Sequence, residues 1–365
     1  YGNLINGLTY SPDNIVDEGL LVLRSSNVQN GQIYLNDNVY VNLDVDDAAL
    51  TKEDDILICV RNGSKRLIGK STIINKNLPK STHGAFMTVF RGESNKFISH
   101  WFHSSIYYKE VHKNLGATIN SINGSDLKKF KTIFPLKPEQ QKIAAFLTAV
   151  DNKIEQLSKK QALLGEYKKG LMQQIFSQAI RFKADDGSDF PDWKENKVDE
   201  FMEVTRGQVL AVPEMRQVES EIFKYPVYSS QTKNNGLTGY YTDYLFEDCI
   251  TWTTDGANAG DVNYRAGKFY CTNVCGVLRS KKGYANLCIA QILNSVSRRY
   301  VSYVGNPKLM NNVMEKIKIS IPSSINEQTK IANFLSSVDS KIEEVGKQLD
   351  ESKQFKKALL QKMFV

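Results

Sequence analysis

The residues that could do chemistry in this sequence are first those close to known catalytic motifs. The segment from Gly63 to Ser71 is similar to a phosphate-binding loop, but five residues separate its two glycines where the motif needs four. We interpret it as a basic loop. Asn306-Pro307-Lys308 lacks the second proline and the aromatic residue with which adenine methyltransferases stack a flipped base. No Gly-x-Ser-x-Gly elbow and no glycine-rich loop suited to S-adenosylmethionine occurs, so the sequence predicts no catalytic site of its own.

Histidine and cysteine offer metal ligands in principle. The chain has four His and five Cys, namely His83, His100, His103, His112, Cys59, Cys249, Cys271, Cys275 and Cys288. Cys271-x3-Cys275 stands alone, without the second close pair that zinc sites use. We therefore expect core or surface residues and no metal. An odd, scattered set of cysteines is typical of free thiols in a reducing compartment, which favours the cytoplasm.

Small polar and basic residues cluster at predicted turns. Such side chains hydrogen-bond to base edges and phosphates, although the same residue types are also common in ordinary loops. The net charge of +7, from 47 Lys and Arg against 40 Asp and Glu, favours the nucleic-acid interpretation. The predicted DNA-binding residues are Arg24, Ser25, Ser26, Asn27, Arg61, Asn62, Lys65, Arg66, Ser229, Ser230, Gln231, Lys233, Asn234, Trp252 and Thr254.

The elements that must position these loops follow from length and repetition. A chain of 365 residues with 41% hydrophobic content predicts two compact units of about 150 residues each. No apolar run approaches the roughly 20 residues of a membrane span, so no membrane partner is expected. Residues 139–176 match residues 327–364 without a gap, and 18 of the 38 aligned positions are identical. The chain therefore contains an internal repeat.

Both copies of the repeat carry apolar residues at steps of four and three, which predicts a heptad seam on one long helix. Each helix would extend about 57 Å, at 1.5 Å per residue. We expect the two helices to pair as an antiparallel coiled coil, although a seam could also serve another subunit. The predicted seam residues for spacing and docking are Ile143, Leu147, Val150, Ile154, Leu157, Ile331, Leu335, Val338, Ile342 and Val345.

A globular head precedes each helix, and the two heads resemble each other faintly. Each has strand-like runs, a helical segment and a short strand, predicted at 133–135 and 319–322, before the long helix. The fold class is therefore mixed α and β (α+β), with two globular domains alternating with two long helices in a pseudo-two-fold arrangement. The predicted boundaries are 1–137 for the first domain, 138–178 for the first helix, 179–190 for a linker, 191–325 for the second domain and 326–365 for the second helix.

Two segments give the sequence a family resemblance. Glu139-Gln140-Gln141-Lys142-Ile143-Ala144 and Glu327-Gln328-Thr329-Lys330-Ile331-Ala332 each follow a proline and open a long helix. They are similar to the helix starts of specificity (S) subunits of type I restriction-modification systems. Phe190-Pro191-Asp192-Trp193 resembles the usual start of that family's target-recognition domain. On this alignment, pairing Gly7 with Gly207 leads us to expect a first domain that is truncated at its N-terminus.

The resemblance implies a non-catalytic subunit that binds double-stranded DNA. Each target-recognition domain would read one half of a bipartite sequence, and the helices would act as a spacer and as the docking surface for two modification (M) subunits. Those subunits bind S-adenosylmethionine and methylate adenine, while restriction (R) subunits use ATP and Mg; this chain itself would bind no cofactor. A standalone two-headed DNA-binding protein and a protein-binding adaptor remain as alternatives.

Overall fold

The computed structural model describes residues 1–115, 120–230 and 233–364, and at Lys233 it describes the backbone alone. The chain divides into two compact units. The first unit comprises Tyr1–Gln161 and Val345–Val365, and the second unit comprises Ala162–Glu344. Each unit therefore contains one globular head and a part of each of two long helices.

The first unit contains ten strands within the described residues. They are β1 (Gly2–Asn6), β2 (Ile15–Val16), β3 (Leu20–Leu23), β4 (Val28–Gln29), β5 (Gln32–Ile33), β6 (Tyr40–Val41), β7 (Ile56–Cys59), β8 (Ser71–Ile73), β9 (Ser81–His83) and β10 (Met87–Gly92). The helices are α1 (Asn95–Trp101), α2 (Ser105–Lys113), α3 (Gly124–Leu127) and α4 (Lys137–Phe176), of which α4 continues into the second unit.

The strands of the first unit form two four-stranded sheets and one hairpin. The sheet orders are β1-β10-β7-β8 and β2-β6-β3-β9, and β4 pairs with β5. All four residues of β7 are buried, as expected for an apolar run at the centre of a sheet. Behind this sheet, Trp101, Phe102 and Tyr107 pack edge to face or tilted, and Leu147 of α4 is fully buried in the same cluster. The first head and the long helix thus share one core.

The second unit contains eight strands within the described residues. They are β11 (Lys194–Lys197), β12 (Glu203–Arg206), β13 (Tyr225–Tyr228), β14 (Leu237–Tyr241), β15 (Phe246–Thr253), β16 (Val262–Cys271), β17 (Cys275–Arg279) and β18 (Lys318–Ile321). The helices are α5 (Val198–Phe201), α6 (Leu287–Ser297), α7 (Asn311–Met314) and α8 (Ile325–Met363). The sheet order is β12-β17-β15-β16-β13-β14, and β11 pairs with β18.

The two heads share a set of strands in the same order, which is interrupted in the first unit. In the second unit, the ten-residue strand β16 pairs antiparallel with β15 and parallel with β13, which joins all six strands. In the first unit, β8 pairs with β7, whereas β9 pairs parallel with β3. The two short strands β8 and β9 therefore take the place that β16 has in the second unit. The sheet of the first unit is therefore split in two. Among the described residues, β2 and the β4–β5 hairpin have no counterpart strands in the second unit, and the β11–β18 pair has none in the first. The remaining strands follow the same order in both heads.

The long helices are confirmed, and they pack antiparallel within each unit. In the first unit, Asp151 forms an ion pair with Lys356 at 2.5 Å, and ten residues later Gln161 lies against Gly346. In the second unit, Lys168 of α4 forms an ion pair with Asp339 of α8 at 2.7 Å. All ten predicted seam residues are buried or half-buried. The seam is thus occupied by helix pairing inside this chain.

The strand predicted at 133–135 is not formed, whereas its counterpart β18 is. β18 exists because β11 pairs with all four of its residues. Among the described residues, no strand pairs with 131–134, although its exposure alternates as a strand would. Ile133 is 91% exposed there. The prediction at 133–135 is wrong because an alternating exposure pattern does not form a strand without a strand to pair with.

Candidate nucleic-acid interface

In the second unit, loops from separate strands meet at one end of the six-stranded sheet. Arg206, at the end of β12, donates to the carbonyl of Asn273 at 2.5 Å, to the hydroxyl of Thr254 at 3.0 Å and to the carboxylate of Asp255 at 3.2 Å. Lys308 lies 4.0 Å from the same carboxylate. The carboxylate of Asp255 therefore contacts basic side chains from two other loops. Because Arg206 and Lys308 face this single carboxylate, the cluster keeps a net positive charge.

The loop after β13 joins this cluster. Asn258 donates its amide to the carbonyl of Ser230 at 3.2 Å, and the hydroxyl of Thr272 donates to that of Ser229 at 2.9 Å. Gly207 lies so close to the carbonyl of Cys271 that an added Cβ would stand 2.3 Å from its oxygen. Close backbone approach of this kind needs glycine, and Gly7 meets Gly84 in the same way in the first unit.

The corresponding loops of the first unit also converge. Asn62 donates its amide to the hydroxyl of Ser25 at 2.8 Å, and Lys70 donates to the carbonyls of Ser25 and Val28 at 2.6 Å each. Partial burial lowers the pKa of the Lys70 ammonium group. Lys70 thus fixes the turn after β3. The guanidinium of Arg61 lies 5.4 Å from the ring centroid of Phe86, whose ring is 56% exposed.

The predicted DNA-binding residues separate by exposure. Exposed at the loops are Ser26, Arg61, Lys65, Arg66 and Asn234. Half-buried, with contacts inside the loops, are Arg24, Ser25, Asn62, Ser229 and Ser230. Gln231 and the side chain of Lys233 lie outside the described residues. Lys65 and Arg66 share an exposed 3-10 turn, where both charged side chains are accessible to solvent.

Three predicted residues are buried, and we correct their role. Asn27 is 0% exposed and donates to the carbonyls of Tyr34 and Asp37. Trp252 donates its indole N–H to the carbonyl of Leu309 at 3.0 Å, and Thr254 donates to the carbonyl of Val274 at 3.0 Å. These side chains position loops and present no surface to a ligand.

Sequence reasoning missed several residues of this interface. The residues that hold or line the loop ends are Lys70, Arg206, Asn258 and Lys308. Arg206 and Lys308 lie far in sequence from the predicted clusters, whereas Lys70 and Asn258 lie just beyond them. A usable signal existed for Arg206, because it precedes Gly207, which aligns with Gly7 in the repeat. For the others, only the fold brings the loops together.

The described residues contain neither a metal site nor a helix that could span a membrane. Within residues 1–115, 120–230 and 233–364, no group of three or more His, Cys, Asp or Glu side chains is arranged to hold a metal ion. No helix in the described part of the chain is both long and apolar enough to cross a membrane. All five cysteines are buried free thiols, and burial raises the pKa of Cys275 to about 11.

Comparison with solved structures shows the fold. The crystal structure of an S subunit of a type I restriction-modification system from M. genitalium aligns with a TM-score of 0.68 and 19% identity, over 100% of this chain and 94% of that chain. A structure from work on complex assembly and conformational transition of a type I system aligns with a TM-score of 0.52 and 14% identity, over 98% of this chain and 96% of that one.

Sequence comparison gives the family. A provisionally named type I specificity subunit N-terminus from Mycoplasma pneumoniae is 37% identical over 146 residues, which cover 39% of this chain and 75% of that protein. The specificity subunit of the EcoKI restriction enzyme of Escherichia coli is 32% identical over 185 residues, or 44% of this chain and 39% of the relative. The model of the type I restriction modification DNA specificity domain matches twice, at residues 3–164 and 191–351. The chain belongs to the family of type I restriction-modification DNA specificity subunits.

Proposed function

We propose that this chain reads a bipartite DNA sequence for a type I restriction-modification complex, with one half-site recognised by each unit. The supporting observation is that the family domain occurs twice, and that each copy carries its own cluster of loop ends at one end of the head. Exposed Lys65 and Arg66 contact phosphates, and the polar loop residues beside them discriminate bases in the major groove.

The helices have a second task in this proposal, which is to position other subunits. Modification subunits carry S-adenosylmethionine and methylate adenine, and restriction subunits use ATP and Mg to cleave DNA. Because the seam is occupied by helix pairing, the docking contacts come from other helix faces. Large apolar side chains that are 44–55% exposed there are Phe146, Leu163, Tyr167 and Phe355. The complex would work in the cytoplasm, where its DNA is.

The test is sequencing of modified bases in host DNA with the gene intact and with the gene deleted. We expect methyladenine to disappear from one split motif upon deletion, and its two halves are the half-sites. Replacing Lys65 and Arg66 together with Ala should weaken methylation at that motif without changing the sequence of either half. A methylome that deletion leaves unchanged in a strain expressing all subunits would contradict the proposal.

A further inference from the structure

A polar cavity of about 160 Å³ lies in the second unit beside the loop that follows β13. Ser229 and Asn235 line it from that loop, Thr253 lines it from the end of β15, and Asn263 and Arg265 line it from β16. Residues two apart on a strand point to the same face. Asn263 and Arg265 therefore stand side by side, on the face opposite to the core residue Val262.

Arg265 is the unusual member of this lining. Only 8% of the residue is exposed, and its Nε donates to the hydroxyl of Thr251 at 3.1 Å. The guanidinium carbon lies over the ring of Tyr228, 3.9 Å from its centroid, in a cation–π contact. Among the described residues, no carboxylate forms an ion pair with it. A guanidinium does not give up its proton in a protein, so the cavity wall carries a buried positive charge.

Among the described residues that line the cavity, the acidic one is Asp261, and it does not neutralise Arg265. Asp261 forms an ion pair with Arg298, and this contact raises the pKa of the Arg298 guanidinium. The negative charge of Asp261 is therefore neutralised by Arg298, which does not line the cavity. Burial without a carboxylate partner lowers the pKa of Arg265, which shows the electrostatic cost of the arrangement. An anion in the cavity would remove that cost.

We propose that this cavity binds a phosphate oxyanion through Arg265, with Ser229 and Asn235 as neutral hydrogen-bond donors. Hydroxyl, amide and guanidinium groups suit phosphate oxygens, and a planar guanidinium can bind two of them at once. The cavity adjoins the loops that carry Ser229, Ser230 and Asn258. The inference rests on the proposed function, since a DNA phosphodiester at these loops is the nearest source of such an oxyanion. Free inorganic phosphate is the other source.

The first experiment measures binding of the complete complex to a duplex that carries the methylated motif, over a range of KCl concentrations. Each phosphate neutralised by the protein contributes about 0.9 to the slope of log affinity against log salt. Arg265→Gln should weaken binding about tenfold and lower the slope by about 0.9. Arg265→Lys should keep most of the slope because it keeps the charge. A slope that Arg265→Gln leaves unchanged would exclude the DNA phosphate.

A second variant shows whether a lower slope in Arg265→Gln results from the lost site rather than from a folding defect. Asn263→Asp is nearly isosteric, and it places a carboxylate beside Arg265 on the same strand face. We expect it to reproduce the loss of slope while leaving the melting temperature unchanged or higher. Asn312→Asp is the matched control, because it adds the same charge on an exposed residue of α7 outside the cavity. Equal losses in both variants would contradict a cavity-specific role.

Inorganic phosphate distinguishes the two sources and separates this inference from the proposed function. If phosphate, but not chloride at equal ionic strength, raises the melting temperature of the wild-type complex and not of Arg265→Gln, the cavity binds free oxyanion. If neither DNA slope nor phosphate response depends on Arg265, the inference is wrong. If the wild-type complex has no salt-dependent DNA affinity, the proposed function fails, while the phosphate response still tests the cavity.

Discussion

His100 lies in the core of the first unit, where α1 packs against both long helices. It is 4% exposed, its Nδ1 is 3.7 Å from a carboxylate oxygen of Asp151, and its Nε2 is 3.4 Å from the hydroxyl of Thr148. Burial lowers the pKa of His100 to about 4; Asp151 opposes this shift, whereas Lys356 and His103 add to it. In the folded protein the ring is therefore neutral at pH values where a free histidine is charged.

This burial predicts a loss of stability in acid. Because the unfolded chain binds a proton near pH 6.5 and the folded chain only near pH 4, the free energy of unfolding falls as pH drops between these values. His100 should account for about 3 kcal/mol of that loss. Urea unfolding of the full chain at several pH values measures it. His100→Gln should flatten the profile between pH 4 and 6.5, and an unchanged slope would contradict the assignment.

At the same scale, residue type suggested candidate interface residues but did not indicate which of their side chains are buried. Asn27 lies in a 3-10 turn, Trp252 lies near the end of β15 and Thr254 follows that strand, yet all three side chains are buried. Trp252 is drawn inward by packing on Gly276, where an added Cβ would stand 2.1 Å from the indole ring. Contacts between residues that are distant in sequence decide whether such a side chain is buried, and the sequence alone does not reveal these contacts.

The long helices were the most predictable elements because their heptads carry both helix and partner information. Leu147 of α4 is 0% exposed in the core that also contains Leu360 of α8 and Phe364, the residue that follows α8. Leu163 of the same helix is 53% exposed. Leu147 and Leu163 are thus identical side chains on the same helix, but only Leu147 lies on the seam.

This contrast gives a matched pair of substitutions. Leu147→Ala should lower the free energy of unfolding by about 2–5 kcal/mol, because it leaves a cavity in the core. Leu163→Ala should change it by about 0.5 kcal/mol or less, because its side chain is largely in water. Urea denaturation of the full chain measures both. Leu163→Ala should instead weaken capture of modification subunits, and similar stability losses in the two variants would contradict the seam.

The strands were less predictable, because a strand depends on its neighbour. The pattern at 131–134 alternates like that of β18, yet only β18 has a pairing strand among the described residues. Similarly, one continuous strand in the second unit, β16, corresponds to β8 and β9 in the first. The residues between β8 and β9 include Asn75, Asn77 and Pro79, which favour turns. That break could be anticipated, whereas its effect on the sheet could not.

At the scale of the whole molecule, duplication explains why the helices match and the heads differ. The helix repeats align without a gap, whereas the loops that join the head strands differ in length. Under the proposed function, the fixed helix length would preserve one distance, and the diverged loops would allow two different half-sites. The repeat in the sequence already indicates this division of labour, whereas the contacts that hold each loop cluster depend on the fold.

The division of labour predicts that helix length sets the DNA spacer. Inserting one heptad into each long helix, between Gln161 and Ala162 and between Glu344 and Val345, keeps the seam in register where the two units meet in sequence. Seven residues add about 10.5 Å of helix, which corresponds to about three base pairs at roughly 3.4 Å each. Methylome sequencing of a strain with the lengthened gene should show both half-sites unchanged and the gap between them altered.

Lengthening the exposed polar loop at Gly187 by seven residues is the control, because it adds chain without adding helix, and it should leave the gap as it was. If the lengthened helices methylate the original motif with its original gap, the helices do not measure the spacer.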